Sequence, residues 1–176
     1  MNKINSHDKK VMPKQMVYYI DATNVCYWYD TTVPTLRVLL KMLILLKTEK
    51  DASFYCIFDA NTTHKLHPDE REIYLHLLEH KNFFHQVSGG KRADDYILEL
   101  ADIYESPVIS NDNYSDPKYS RYAWKDREAE PMRLFMGEVI NTPFGDHLLL
   151  PDLDLRSVLD KKVNNLYRDL QGLFNP

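Results

Sequence analysis

The chain has 176 residues, 44% of them hydrophobic and 27% charged, the balance of one soluble globular domain with a sizeable core rather than two domains. Its 22 Lys and Arg against 26 Asp and Glu leave a net charge of −4. That excludes a global basic footprint, so a polyanionic partner must be held by a local patch or through bound cations. Only Cys26 and Cys56 are present, without CxxC spacing, which argues against a disulfide framework or a structural zinc site and fits a reducing, cytoplasmic compartment.

The first stretch, residues 1–15, is polar without an apolar signal core and reads as a disordered tail. Met16 to Ile20 is a short apolar run ending at Asp21, a first strand. Leu36, Leu39, Leu40, Leu43 and Leu46 recur at helical spacing and predict a buried helix over 35–47. Its apolar stretch is interrupted by Lys41 and too short to span a bilayer, so no membrane association is expected. SFYCIFD, residues 53–59, is a second strand that again ends in an acid. Pro68 and Asp69 mark a helix start, with Ile73, Leu77 and Leu78 as its apolar stripe.

FFHQV (83–87) predicts a third strand, ADDYILELADIYE (93–105) a helix, and 107–110 a fourth strand. A short helix near 119–126 and a strand around 133–140 follow. Leu155, Val158, Leu159, Leu166, Leu170 and Leu173 make the closing segment amphipathic, a helix packed on the domain or on a partner such as a second copy of the chain.

Strands alternating with helices imply an α/β fold: a three-layer α/β/α, Rossmann-like domain with a mostly parallel sheet covered on both faces. In such sheets ligands bind at the carboxyl ends of the strands, where the strand order reverses. Asp21, Asp59 and Asp112 all fall at predicted carboxyl ends and therefore on one edge. If Ile97, Leu98 and Ala101 face inward, Asp94 shares their stripe in the first helical turn, where the helix dipole favours a carboxylate. Asp95 falls on the flank of the same turn.

Asp21, Asp94 and Asp112 should thus converge, with Asp95 and Asp116 as a second ring. Carboxylates gathered in one pocket need a cation to stay ionised, and oxygen-only ligation suits Mg²⁺ or Mn²⁺. An acid at a strand end or helix start also serves as a turn or cap residue, so each aspartate alone is weak evidence. Their shared edge makes the stronger case.

Three stretches in order, YYIDATNVCYW, GGKRADDYILELA and VISNDNYSDPKYSRYAWK, resemble the NYN branch of the PIN-like ribonucleases, and most of all the Regnase (MCPIP) group of CCCH-zinc-finger ribonucleases. The similarity spans about residues 16–155 and leaves 156–176, the closing helix, outside it. The resemblance implies a Mg²⁺- or Mn²⁺-dependent endoribonuclease acting on single-stranded or loop RNA. By resemblance, Asp21 and Asn24 match the first motif, Asp94 or Asp95 the middle pair, and Asp112 and Asp116 the last, with Asn24 orienting the first carboxylate or a water. The GGKR-to-Asp spacing is shorter than in the Regnase group, and helix phase favours Asp94 over Asp95. The zinc finger has no counterpart in this chain.

Lys91 and Arg92, just before the acidic helix, are candidates for phosphate contacts. Lys118, Arg121, Lys125 and Arg127 alternate with Tyr119, Tyr122 and Trp124, which suits stacking on single strands as well as a solvated helix face. Tyr27, Trp28 and Tyr29 fit base stacking or core packing equally. His76 and His80 stand four apart on a helix but lack the Glu of a metalloprotease motif, and read as structural. Competing readings are a DNA or flap nuclease of the same fold and an inactive RNA-binding or scaffolding module.

Overall fold

The computed structural model describes residues 17–50, 52–122, 138–139, 148–149 and 160–174. In chain order the elements are β1 (Val17–Asp21), α1 (Ala22–Cys26), α2 (Leu36–Lys50), β2 (Ser53–Phe58), α3 (Thr62–Lys65), α4 (Pro68–Glu79), β3 (Phe84–Gln86), α5 (Ala93–Tyr104) and β4 (Val108–Ile109). A 3-10 turn (Pro117–Arg121), β5 (Glu138–Val139), β6 (Leu148–Leu149) and α6 (Val163–Phe174) follow.

The first four strands form one parallel sheet in the order β3-β2-β1-β4. The chain moves outward from β1 to β2 to β3, then returns to place β4 on the other side of β1, so the order reverses between β1 and β4. In parallel sheets such a boundary, at the strands' carboxyl ends, is where ligands bind. In β1 and β2 successive side chains enter two different cores. Ile20, Phe54, Cys56 and Phe58 face a core shared with α1, α2, α4 and α6, whereas Tyr19, Ile57 and Val108 face α5. Helices thus cover both faces, the three-layer arrangement expected from the alternating pattern.

The helix on the second face follows the predicted phase: Ala93, Ile97, Leu98 and Ala101 are buried. It stops at Tyr104 because Glu105 turns left-handed at φ 49°. On the first face, Pro68 opens α4 where its missing N–H has no partner to lose, and Tyr74 meets Phe58 edge-to-face at 4.9 Å. Val163, Leu166, Tyr167 and Leu170 recur at i, i+3, i+4 and i+7 and are buried, so α6 lays its apolar stripe on α2 and α4. Its rings also engage the two spaced histidines: Tyr167 lies 6.2 Å from His76 and Phe174 lies 5.4 Å from His80.

The structure departs from the sequence reading in places. Helices α1 and α3 are single turns with no apolar period long enough to read. The short helix expected near 119–126 starts earlier, as a 3-10 turn, because Asp116 caps Lys118 N at 3.1 Å and Pro117 fixes the first position; residues 123–126 lie outside the described ones. Of the strand expected around 133–140, only Glu138–Val139 is described, paired antiparallel with Leu148–Leu149 in a separate two-stranded sheet. No helix among the described residues is long and apolar enough to cross a membrane.

Candidate active site

Asp21 is the last residue of β1 and the N-cap of α1. Its Oδ1 accepts from Asn24 N at 3.2 Å, a capping bond that lets the chain leave the strand directly into a helical turn. Capping does not require burial, yet Asp21 is 6% exposed. It lies at the β1/β4 boundary, where Ser110 Oγ donates to its Oδ2 at 3.0 Å. No lysine or arginine among the described residues forms an ion pair with it. Burial pushes its pKa up to about 7; Asp94 and Asp59 add repulsion, and the two hydrogen bonds offset only part of this.

Asn24 acts on this edge through both its backbone and its side chain. Its Oδ1 accepts from Trp28 Nε1 at 2.9 Å and from Asn111 N at 3.1 Å. Both partners are N–H donors, so the amide oxygen must face them. The side chain therefore ties α1 to the segment after β4, while the contact to Asp21 comes from the Asn24 backbone. Trp28 packs on the first core and spends its indole N–H on this clamp.

After β4 the chain folds tightly. Ser110 Oγ, besides donating to Asp21, accepts from Asp112 N at 3.1 Å. Asp112 Oδ1 then accepts from Tyr114 N at 2.8 Å, and Tyr114 adopts φ 48°. A left-handed bulky residue costs about 1 to 2 kcal/mol; here it sends the Tyr114 ring into the second core, edge-on to Tyr119 at 6.2 Å. The buried Tyr114 hydroxyl lies beneath the acids, its pKa driven up by burial and then by Asp21, Asp94 and Asp112. Asp112 itself is exposed at the surface of this turn.

Asp94 and Asp95 occupy the first turn of α5 and differ sharply. Asp94 has a side chain 17% exposed, and burial raises its pKa despite Arg92, with Asp112 and Asp59 adding repulsion. Asp95 is half exposed and bonds Lys118 Nζ at 2.7 Å, which lowers its pKa. Arg92 donates to Asp94 Oδ2 at 2.7 Å and to Asp116 Oδ2 at 3.0 Å, bridging the two acids across 22 residues of sequence. Asp116 thereby joins the group at its rim, and Tyr119 Oη donates to Asp94 at 3.4 Å.

The structure thus gathers Asp21, Asn24, Asp94 and Asp112 at one edge, with Asp116 and Asp95 at its margin. Of the basic candidates, Arg92 and Lys118 are exposed but paired with carboxylates, Arg121 donates to Tyr122 Oη at 2.6 Å, and Lys91 is exposed. Lys125 lies outside the described residues. Ser110 and the buried Thr23, which accepts from Asp59 N at 2.9 Å, were not singled out in the sequence, and Trp28, a stacking or packing candidate there, packs on the first core. Ser110 does stand in the SND stretch beside Asp112, the one local sign of its role.

Among the described residues no three His, Cys, Asp or Glu side chains stand close enough to enclose a metal ion by themselves. The donor chemistry nevertheless fits a small hard cation. Mg²⁺ keeps several waters and needs only one or two carboxylates, and the edge offers oxygen donors around a buried carboxylate with no positive partner among the described residues.

A search among curated proteins found no match. The family model for the Zc3h12a-like ribonuclease NYN domain matches residues 14–160, which include every strand of the parallel sheet and all the acids described above. The chain belongs to the Zc3h12a-like ribonuclease NYN domain family.

Proposed function

We propose that the chain is a Mg²⁺- or Mn²⁺-dependent endoribonuclease that hydrolyses phosphodiester bonds of single-stranded or loop RNA. One observation carries this reading: Asp21 is buried at the strand-order reversal, lacks a cationic partner among the described residues, and has Asp94 as its larger source of repulsion. Capping α1 does not require that burial, and an ionised carboxylate buried without a countercharge costs folding free energy. Asp21, Asp94 and Asp112 would hold the ion in part through its retained waters, with Asp116 and Asp95 ordering water at the margin. When bound, such an ion offsets charge building on the phosphodiester and acidifies an attacking water.

The remaining residues position this set. Ser110 fixes the inner oxygen of Asp21, and Asn24 holds the turn that carries Asp112. Arg92 draws Asp94 and Asp116 together, and Lys91 is free to meet a phosphate flanking the cleaved bond. The test is incubation of labelled single-stranded RNA and DNA with the full chain, in Mn²⁺, in Mg²⁺ and in EDTA. The reading expects internal cleavage of RNA in either metal and none in EDTA. Equal cleavage in EDTA, or cleavage of DNA alone, overturns it.

A further inference from the structure

Beside the acidic edge, the end of β3 and the first turns of α5 enclose an open cleft of about 350 Å³, lined in part by His85, Lys91, Tyr96 and Glu99. That is room for one nucleoside-sized ligand. The walls are not acidic alone. The rings of His85 and Tyr96 stack at 4.8 Å with 27° between planes, and Tyr55 continues the stack beneath His85 at 6.5 Å. Lys91 stands exposed at the mouth with no ion pair among the described residues. Gly90, just before it, adopts φ +79°, and a Cβ there would meet nothing within 4 Å.

Two residues belong to both places. Arg92 and Asp95 line the cleft, and on the other side Arg92 reaches Asp94 while Asp95 shares its helical turn. A ligand in the cleft is therefore one side chain away from the acidic edge. An aromatic pair, a free lysine and an exposed carboxylate at Glu99 together match a nucleotide: a ring to stack, a phosphate, and an exocyclic amino group to donate.

We propose that this cleft is a subsite for the nucleotide next to the cleaved phosphate of single-stranded RNA, stacking its base on the Tyr96–His85 pair, with its phosphate toward Lys91 and its amino group toward Glu99. The inference rests on the ribonuclease reading and adds a base preference: adenine, cytosine and guanine carry an exocyclic amino group, and uracil does not.

The test measures binding of five-nucleotide oligo-A, oligo-C and oligo-U by fluorescence anisotropy at low salt in EDTA, for the full chain and for Tyr96→Leu, Tyr96→Phe and Glu99→Gln. Loss of the stacking ring in Tyr96→Leu should weaken oligo-A binding about tenfold, while Tyr96→Phe stays within about twofold. Glu99→Gln should narrow the gap between oligo-A and oligo-U and leave the melting temperature unchanged. If Tyr96→Leu does not fold, the Glu99→Gln comparison decides. Wild-type binding of RNA with unchanged affinity in Tyr96→Leu, or unchanged base preference in Glu99→Gln, overturns the subsite alone. Absence of RNA binding by the wild-type chain overturns the ribonuclease reading, and the subsite with it.

Discussion

Glu70 and Asp21 are the two carboxylates buried among the described residues, at 1% and 6% exposure, and the protein treats them in opposite ways. Glu70, in the first turn of α4, accepts from Thr35 Oγ1 at 2.7 Å, from Leu36 N at 2.8 Å and from Arg37 Nη1 at 2.6 Å. It thereby caps the start of α2, joins that helix to α4, and carries its own countercharge. Asp21 accepts from one backbone N–H and one hydroxyl, and the charges around it are other acids. The chain is able to neutralise a buried carboxylate internally and does so where the role is structural. At Asp21 no such countercharge stands among the described residues, and burial instead raises the carboxyl's pKa to about 7.

The contrast yields its largest effect in the pH dependence of stability. In the native state the Asp21 carboxyl holds its proton up to about pH 7, whereas in the unfolded chain it ionises near 3.8. Between those values the native state binds more protons, so without metal its stability falls as pH rises through this window and stays low above it. The full span is worth roughly 4 kcal/mol. Urea midpoints in EDTA at pH 5 and pH 8 should therefore differ less in Asp21→Asn than in the wild type. Parallel behaviour of the two proteins would remove Asp21 from the comparison.

Breaking the self-sufficient partner comes next. Glu70→Ala leaves Arg37 without its carboxylate and Leu36 N without an acceptor, and should lower unfolding free energy by about 3 kcal/mol. Its urea midpoint should fall at pH 5 and pH 8 alike, with the metal response of the folded fraction unchanged. A Glu70→Ala protein of normal stability would mean that the hydrogen bonds around Glu70 do not hold the two helices.

On the Asp21 side, Asp112→Asn keeps shape and removes charge. RNA cleavage should drop by about a hundredfold or more, while circular dichroism stays the same; near-normal cleavage would exclude Asp112 from the metal-binding set. Ser110→Ala is the mildest change. It deletes one donor to Asp21 and the acceptor for Asp112 N, and should weaken Mn²⁺ affinity by about tenfold, as titration calorimetry would register. No change in affinity would leave Ser110 a purely local turn residue.

Much of this arrangement was readable in the sequence because it depends on period and polarity. Apolar runs ending in Asp21 and Asp59 located two strand ends, and the phase of Ile97, Leu98 and Ala101 turned Asp94 inward and Asp95 to the flank. What escaped depends on contacts between distant segments. Ser110 meets Asp21 across 89 positions, and only the pairing of β1 with β4 brings them together. Arg92 reads as a phosphate ligand from its neighbours, yet its guanidinium lies between Asp94 and Asp116 once the turn after β4 folds back. Asn24 reads as orienting Asp21 or a water; in the fold its backbone N–H bonds Asp21, while its amide oxygen accepts from Trp28 and Asn111. Helix α1 was invisible for another reason: one turn has no period, and the acid that caps it was already assigned to the strand.

Whether the acidic edge takes a cation is decided by thermal melting at pH 8, with and without saturating Mn²⁺, of the wild type and Asp21→Asn. An ion that binds the folded site and not the unfolded chain adds about 2.7 kcal/mol at one hundred times its dissociation constant. The wild type should show a clear upward shift. Asp21→Asn, already more stable without metal, should lose most of that response. A wild type that melts at the same temperature with and without Mn²⁺, or an Asp21→Asn protein that responds as strongly, would contradict cation binding at this edge and return these aspartates to the roles of cap and turn.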